Sequence, residues 1–545
     1  MTTGAVWRFS MIAPDPTLPR IRALPHCRRM NILPTGRRLV FVLCIAVAGL
    51  GGAGTADAVM ASAWFDGGRP GAQAQQAVAL LADAASDGLE PQDYDAAALQ
   101  RAVALAAQGP GLDAAAQSGL GDALSAAMQR FLADLHDGRI APRQVHARFD
   151  VPRGAAFDPA AVLGAALAGQ RLPQAVREAA PRLPLYEQLR QALAQYRALG
   201  EHPAWAQKLP PLRGRKLEPL QAWDGLPLLA GRLQVLGDLP ADVPVPVRHE
   251  GALVAAVQAF QRRHGLGDDG VVGRATLAAL AVTPAQRARQ IALTLERLRW
   301  TPLQLGPRMI VVNVPEFVLR AYETRDDRID VRLEMKVIVG KALDTPTPLF
   351  TEEMRFIEFS PYWNVPRSIA GAELVPRLQS EPAYFTRQGF EFVGRDGRVS
   401  AGFGDEQLDA VLRGELRIRQ RPGPNNALGD IKFVFPNNDA IYLHHTPSPG
   451  LFERDRRDFS HGCIRVQEPV ALAKFVLQDQ PGWDEARIVE AMARGQSRTL
   501  RLDRPVPVLI AYGTVLVRQG RPHFLADVYG NDQLLDEALR KRRRR

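Results

Sequence analysis

Near residue 300 the chain changes character, and that change limits what it can fold into. Residues 60–220 are rich in Ala, Leu and Gln, with apolar residues recurring three and four positions apart, as in 75–85 and 113–135. This spacing predicts amphipathic helices. Gly, Pro and Asp punctuate them at Asp87-Gly88-Leu89-Glu90-Pro91 and His136-Asp137-Gly138-Arg139. From about 300, β-branched runs take over at 309–314 and 331–339, followed by an extended piece at 358–366. Residues 370–420 are less periodic, carry helical fragments such as 406–412, and read as an insertion into the β region. Strands resume at 430–435, 440–443, 506–517 and 523–524, and a helix at 533–539 precedes the basic run Lys541-Arg542-Arg543-Arg544-Arg545. A chain of 545 residues exceeds one ordinary core, and at roughly 100–200 residues per domain it divides into about three to four. The fold class expected is multidomain α+β. A helical scaffold at 59–224 leads to a small helical module at 225–285 and a mostly β domain at 300–500. That domain holds the 370–420 insertion, and residues 501–545 supply closing strands, a helix and a tail.

Residues 1–58 read differently. Arg37 and Arg38 precede the apolar stretch 39–50, and small residues follow, ending in Ala56-Asp57-Ala58. That is the order of a secretory signal. The apolar run is shorter than the roughly 20 residues that span a bilayer. Export with cleavage after Ala58 is expected, and retention as an anchor touching the inner membrane is the second reading. Met30 stands where the charged region should begin, and N-terminal sequencing would show whether it is the true start.

Of three cysteines, Cys27 precedes the signal and Cys44 lies within it. Cleavage at Ala58 would leave Cys463 alone. A lone exported thiol cannot form an internal disulfide, so it invites a functional explanation beside the plainer one of a buried structural cysteine. The formal charge of +10 and pI of about 9.8 come partly from the terminal basic run. Zinc-finger spacing and a basic-aromatic RNA motif are both lacking, so nucleic acid is not an expected partner.

Within 225–285, Val254, Val257 and Phe260 form a helical stripe in GALVAAVQAFQRRH, and Gly265 closes the helix. Asp268-Asp269-Gly270-Val271-Val272-Gly273 makes a turn, and Thr276, Leu277 and Leu280 begin a second helix. The pattern AVQAFQRRHGL…DGVVG…TLAAL resembles the peptidoglycan-binding domain 1 family, a three-helix module, against the plainer reading of a generic helical hairpin. The resemblance implies a cell-wall contact without saying which residues make it.

The chemistry concentrates in Tyr442-Leu443-His444-His445-Thr446-Pro447 and Phe459-Ser460-His461-Gly462-Cys463-Ile464-Arg465-Val466. A thiol needs a base or a positive neighbour to act as thiolate near neutral pH, and histidine fits that need. His444 stands at a strand end nineteen positions before Cys463, room for a loop to join them. Gly462 permits close backbone approach, neighbouring N–H groups can form an oxyanion hole, and Arg465 can hold a carboxylate in bidentate fashion. An inert buried cysteine, a zinc site of Cys463, His444 and His461, and a papain-like order remain alternatives. The zinc spacing is tighter than common structural pairs, and in papain-like enzymes cysteine precedes histidine.

The stretch HHTPSPGLFERDRRDFSHGCIRV resembles the catalytic motif of the L,D-transpeptidase (YkuD) family. Tyr362-Trp363-Asn364-Val365-Pro366-Arg367-Ser368-Ile369 and Arg421-Pro422-Gly423-Pro424-Asn425-Asn426-Ala427-Leu428-Gly429 resemble its large Gram-negative branch, which carries a scaffold, a peptidoglycan-binding module and an inserted capping subdomain. The resemblance implies Cys463 as acylated nucleophile and His444 as base. It also implies His445 as its orienting main-chain carbonyl, and Gly462 with Cys463 as oxyanion donors. The His445 side chain departs from the small residue common there. Arg465, Ser460, Tyr442, Trp363 and Asn364 would line or shape the cleft, with Trp363 equally readable as core. His461 would line the site without being essential. The implied reaction is 3→3 cross-linking of peptidoglycan in the periplasm. A tetrapeptide donor stem releases D-Ala, a second stem peptide accepts, no metal or organic cofactor takes part, and a carbapenem is an expected covalent inhibitor. Water as acceptor would give an L,D-carboxypeptidase, and a lipoprotein lysine an anchoring enzyme. A non-catalytic wall-binding protein is the rival that would more often have lost the thiol.

Overall fold

The computed structural model describes residues 63–147, 149, 156–301, 306–325 and 328–543; the expected signal lies outside them. Among the described residues no helix is long and apolar enough to cross a membrane. A two-residue hairpin, β1 (Phe65–Asp66) and β2 (Arg69–Pro70), opens the scaffold. Helices α1 (Ala72–Ala82), α2 (Ala96–Gln108), α3 (Ala114–Asp137), α4 (Pro159–Ala168) and α5 (Leu172–Ala179) follow. Their apolar stripes close on one core containing Trp64, Phe131, Leu135 and Leu163. Helix α3 starts where the Asp113 carboxylate accepts from the Ala116 N–H, so an exposed polar residue fixes the end of a buried stripe.

Helix α6 (Pro184–Leu199) leaves that core. The small helical module consists of α7 (Leu226–Val235), α8 (Ala252–Arg263) and α9 (Arg274–Ala281), closed over Trp223, Leu233, Val257, Phe260 and Leu280. The Gln261 amide donates to Asp269 at 3.0 Å and to the Val271 carbonyl at 2.9 Å, and accepts from Gly270 N–H at 2.9 Å. That clasp holds the turn in which Gly270 takes a φ of +74°. The long helix α10 (Pro284–Trp300) begins with a Thr283/Gln286 capping box. Its Ile291 and Leu295 pack against Leu189, Leu193 and Tyr196 of α6. Its fully buried Glu296 receives Arg139 from the scaffold and Arg299, so the buried carboxylate is paired on both sides.

The β domain contains β3 (Arg308–Asn313), β4 (Val318–Arg325), β5 (Arg328–Gly340) and β6 (Phe350–Phe359). Next come β7 (Trp363–Asn364), α11 (Arg367–Ile369), a π-helical turn (Ala370–Leu374), α12 (Val375–Ser380) and α13 (Ala383–Arg387). They are followed by β8 (Phe390–Gly394), β9 (Val399–Ser400), α14 (Asp405–Arg413) and β10 (Leu416–Gln420). The chain then returns through β11 (Ile431–Val434), β12 (Leu443–His444), β13 (Asp458–Ser460) and β14 (Ile464–Val466), with α15 (Pro469–Leu477) and α16 (Glu485–Ala493) beside them. Strands β15 (Arg498–Ala511), β16 (Val515–Arg518) and β17 (Arg521–Phe524) and helix α17 (Asn531–Arg543) end the description.

The large sheet runs β13-β5-β14-β12-β11-β6-β15-β3-β4, and an added β4–β5 pairing closes it on itself. Closure leaves few open edges and encloses Ile310, Val337, Phe359, Phe433, Leu443, Ile464 and Val508 in one core. Two boundaries differ from the sequence reading. The insertion is a four-stranded sheet, β7-β10-β8-β9, that begins at Trp363 rather than near 370, because Trp363 and Asn364 pair with Gln420 and Arg419 to form its stem. Strand β15 does not trail the β domain. It sits inside the sheet between β6 and β3, because Val506, Val508 and Ile510 bury in the shared core. The strand expected at 440–443 shortens to Leu443–His444, since Ala440 has a φ of +53° and turns the chain.

Candidate active site

The site is built by strand pairing. Strand β12 runs parallel to β14, with Leu443 beside Ile464 and His444 beside Arg465. Leu443 and Ile464 point into the core. Alternation then puts Tyr442, His444, Cys463 and Arg465 on the other face. Antiparallel pairing extends that row, with His444 opposite Lys432 on β11 and Lys432 opposite Glu358 on β6. Residues that are nineteen positions apart in sequence therefore share one face.

The side chains confirm a common cluster. The Tyr442 and His444 rings stand edge to face with centroids 5.7 Å apart. The Tyr442 hydroxyl and the Cys463 sulfur share a hydrogen-bonding contact. Lys432 Nζ lies 4.3 Å from the centre of the Tyr442 ring and 3.2 Å from Glu358. The sulfur also lies 3.6 Å from the Ala440 carbonyl, and no hydrogen bond joins it to the His444 ring.

His444 is 4% exposed, and its Nδ1 lies 2.6 Å from the His445 carbonyl. Burial, with Arg465 and Lys432 nearby, pushes its pKa down to about 3 despite main-chain contacts from His445 and Leu428. Burial likewise pushes the Cys463 thiol up, opposed by Tyr442, Lys432 and Arg465. At neutral pH the resting site therefore holds a thiol and an uncharged imidazole. The His445 side chain turns away, 3.4 Å from Asp430. Its Cβ packs where any side chain on Gly429 would collide with it.

The loop carrying Cys463 is pinned from several sides. Buried Arg457 donates to the carbonyls of Phe317 at 3.0 Å and Val337 at 3.2 Å. Ser460 Oγ donates to the Cys463 carbonyl at 2.5 Å and accepts from the Gly462 N–H at 3.2 Å. Ser460 thus shapes the loop. Thr347 Oγ1 donates to the Gly462 carbonyl at 2.7 Å and accepts from the Gly340 N–H at 2.9 Å. Gly462 has a φ of +111°, a conformation side chains resist, and Ile441 would meet an added Cβ at 3.1 Å.

Arg465 is half-buried. Burial lowers its pKa, and its buried Nε lacks a hydrogen-bond partner. His461 faces outward to the insertion, with Nε2 2.6 Å from Glu373. Among the described residues no group of three or more His, Cys, Asp or Glu side chains is arranged to hold a metal ion. Trp363 and Asn364 lie in the stem of the insertion, Trp363 packed on its small core and Asn364 exposed. The motif at 421–429 forms a latch below that stem. Buried Asn426 donates to the carbonyls of Pro361 at 3.0 Å and Arg421 at 2.9 Å, and the Leu428 main chain faces His444.

Sequence reasoning missed Lys432, Glu358, Thr347 and Glu373. Lys432 did carry a signal: it is the one charged side chain between the inward-facing Ile431 and Phe433. Thr347 and Glu373 carried none, because their partners lie 115 and 88 positions away.

Comparison with known proteins matches residues 307–507 to the L,D-transpeptidase catalytic domain (YkuD), 57–193 to the scaffold domain, and 228–280 to the family described as "Putative peptidoglycan binding domain". A protein of Haemophilus influenzae named "Putative L,D-transpeptidase" is 33% identical over 253 residues, which is 46% of this chain and 49% of that protein. The chain thus spans about half the length of that relative. Among solved structures, an L,D-transpeptidase from Xylanimonas cellulosilytica aligns with 14% identity, over 55% of this chain and 100% of that one, at a TM-score of 0.16. A fused Zn-dependent amidase/peptidase/peptidoglycan-binding domain protein from Clostridium acetobutylicum aligns with 13% identity over the same shares, also at 0.16.

Proposed function

We propose that this chain, which carries an L,D-transpeptidase catalytic domain together with a scaffold domain and a peptidoglycan-binding domain, forms 3→3 peptidoglycan cross-links in the periplasm through a thioester on Cys463. The observation that carries the reading is the β12–β14 pairing, which sets Cys463, Tyr442, His444 and Arg465 on one face. The thiol attacks the carbonyl of the diaminopimelate residue that precedes the terminal D-Ala of a donor tetrapeptide. His444 takes the thiol proton at Nε2 and returns it to the departing D-Ala nitrogen. The amide C–N bond breaks and a thioester forms. An amine of a second stem peptide then attacks the thioester, restoring an amide and the free thiol. The main-chain N–H groups of Cys463 and Gly462 serve the oxyanion, the latter turning from Ser460. Arg465, with an unpartnered buried Nε, suits a stem-peptide carboxylate.

The exported chain, incubated with a tetrapeptide donor, should gain the acyl mass on Cys463 and pass it to an acceptor stem as a cross-linked product. Release of tripeptide alone would point to carboxypeptidase activity, and transfer only to a lipoprotein lysine to anchoring. A carbapenem should add to the wild type and not to Cys463→Ala. An adduct persisting in that variant would overturn the assignment of the nucleophile.

A further inference from the structure

A second cavity lies outside the closed sheet, away from Cys463. Its floor is the outer face of β3 and β4, where Met309, Val311 and Tyr322 alternate with the core residues Ile310, Val312 and Ala321. The start of α6 and the last turns of α10 wall it, and the β16–β17 hairpin borders it. Around the closed sheet, β15, β6 and β11 separate β3 from β12 on one side, and β5 and β14 separate β4 from β12 on the other. The volume is about 440 Å³, within the range of small-molecule sites, which favour junctions between domains.

The walls are chiefly apolar, with Leu183, Leu298, Val311, Ile329 and Val517 among them. One buried polar group is under-used. Arg297 is 6% exposed, lines the cavity and lies over the Tyr512 ring at 5.2 Å. One of its terminal nitrogens pairs with Asp532, while Nε and the other terminal nitrogen are buried without a partner. Leaving such donors unmet is costly, and a bound acceptor would relieve it. The remaining charges of the lining satisfy each other: Arg320 bonds Glu316 and Glu334, and Arg518 bonds the same two carboxylates. The Tyr512 hydroxyl is spent on Asp527 at 2.6 Å. The three arginines of the lining are thus matched by three carboxylates, Glu316, Glu334 and Asp532, and Arg297 alone of the three keeps buried donors unused.

We propose that this cavity binds a single-chain amphiphile with a carboxylate head, the head on Arg297 and the aliphatic body against β3 and the hairpin. Dodecanoate, kept below its micelle concentration, is the probe for calorimetric titration of the full chain. It should bind one-to-one and saturably, whereas acetate and dodecyltrimethylammonium should not. Arg297→Gln should weaken binding at least about tenfold, the loss of a charge-assisted contact. Val311→Trp, which fills the cavity from the sheet side, should abolish binding while thermal melting stays cooperative. In the wild type, dodecanoate should also slow hydrogen exchange at residues 308–313 and 515–518, a readout that needs no variant. Absence of saturable binding, equal binding of the cationic surfactant, or binding undiminished in Val311→Trp would overturn the proposal.

Discussion

The Nδ1 of His444 lies 2.6 Å from the main-chain carbonyl of His445. A carbonyl only accepts, so Nδ1 carries the proton and Nε2 is the basic atom. The contact needs only the His445 backbone, which leaves its side chain free to face Asp430.

The first prediction concerns pH. Burial beside Arg465 and Lys432 pushes His444 down to about 3, and burial pushes Cys463 up. A raised thiol pKa means less thiolate at neutral pH, so alkylation of Cys463 by iodoacetamide should climb with pH. Its half-rise should lie above the ordinary thiol value of about 8.5. Because His444 stays uncharged until the pH approaches 3, no inflection belongs between pH 5 and 7. A rate already level by pH 6 would instead mean a preformed thiolate–imidazolium pair.

The second prediction concerns Lys432, which favours the thiolate from β11, two strands away from β14. Lys432→Met removes that charge, so the alkylation curve should move to higher pH. At pH 7 the rate should fall about three- to ten-fold, which is about 0.7–1.4 kcal/mol of lost thiolate stabilisation. Lys432→Arg should keep most of the rate. A purely structural role would lower the melting temperature without moving the curve.

Much of the site was legible in the sequence. Period-two alternation alone places Tyr442 and His444 on one face of their strand, and Cys463 and Arg465 on one face of theirs. What it could not give was the register that sets those two faces together. Nor could it give the neighbours brought in by β11 and β6, because strand partners are chosen by burial across the whole core. The same limit explains β15. Its apolar run announced a strand, but only packing between β3 and β6 made it part of the sheet rather than an appendage. Trp363 was open between core and cleft on sequence, and it packs on the core of the insertion because its strand forms the stem.

A third prediction tests the support of the loop that carries Cys463. Thr347, 1% exposed, bridges the Gly340 N–H and the Gly462 carbonyl through one hydroxyl. Thr347→Val keeps the shape and strands both main-chain groups, so stability should drop by about 1–3 kcal/mol. Acylation of Cys463 should slow with it, since the loop loses a fixed point one residue from the sulfur. Thr347→Ser should restore both, as read by chemical denaturation and intact mass. A valine variant as fast and stable as wild type would show that the bridge carries nothing.

The last prediction concerns the insertion. His461 Nε2 lies 2.6 Å from Glu373, which sits in the π-helical turn between α11 and α12. The contact joins the insertion to the loop two residues before Cys463, and both partners are partly open to solvent. An exposed pair of this kind contributes at most about 1 kcal/mol, and salt should weaken it further. Glu373→Gln should therefore leave the global melt almost unchanged. Hydrogen exchange across residues 367–380 should nonetheless speed up by a few-fold, roughly the factor that 1 kcal/mol allows. High salt should produce the same change in the wild type and add little in the variant. His461→Ala should match Glu373→Gln, and the double variant should be no faster than either alone, because both remove one contact. Additive effects would mean that the two side chains hold the insertion through separate partners.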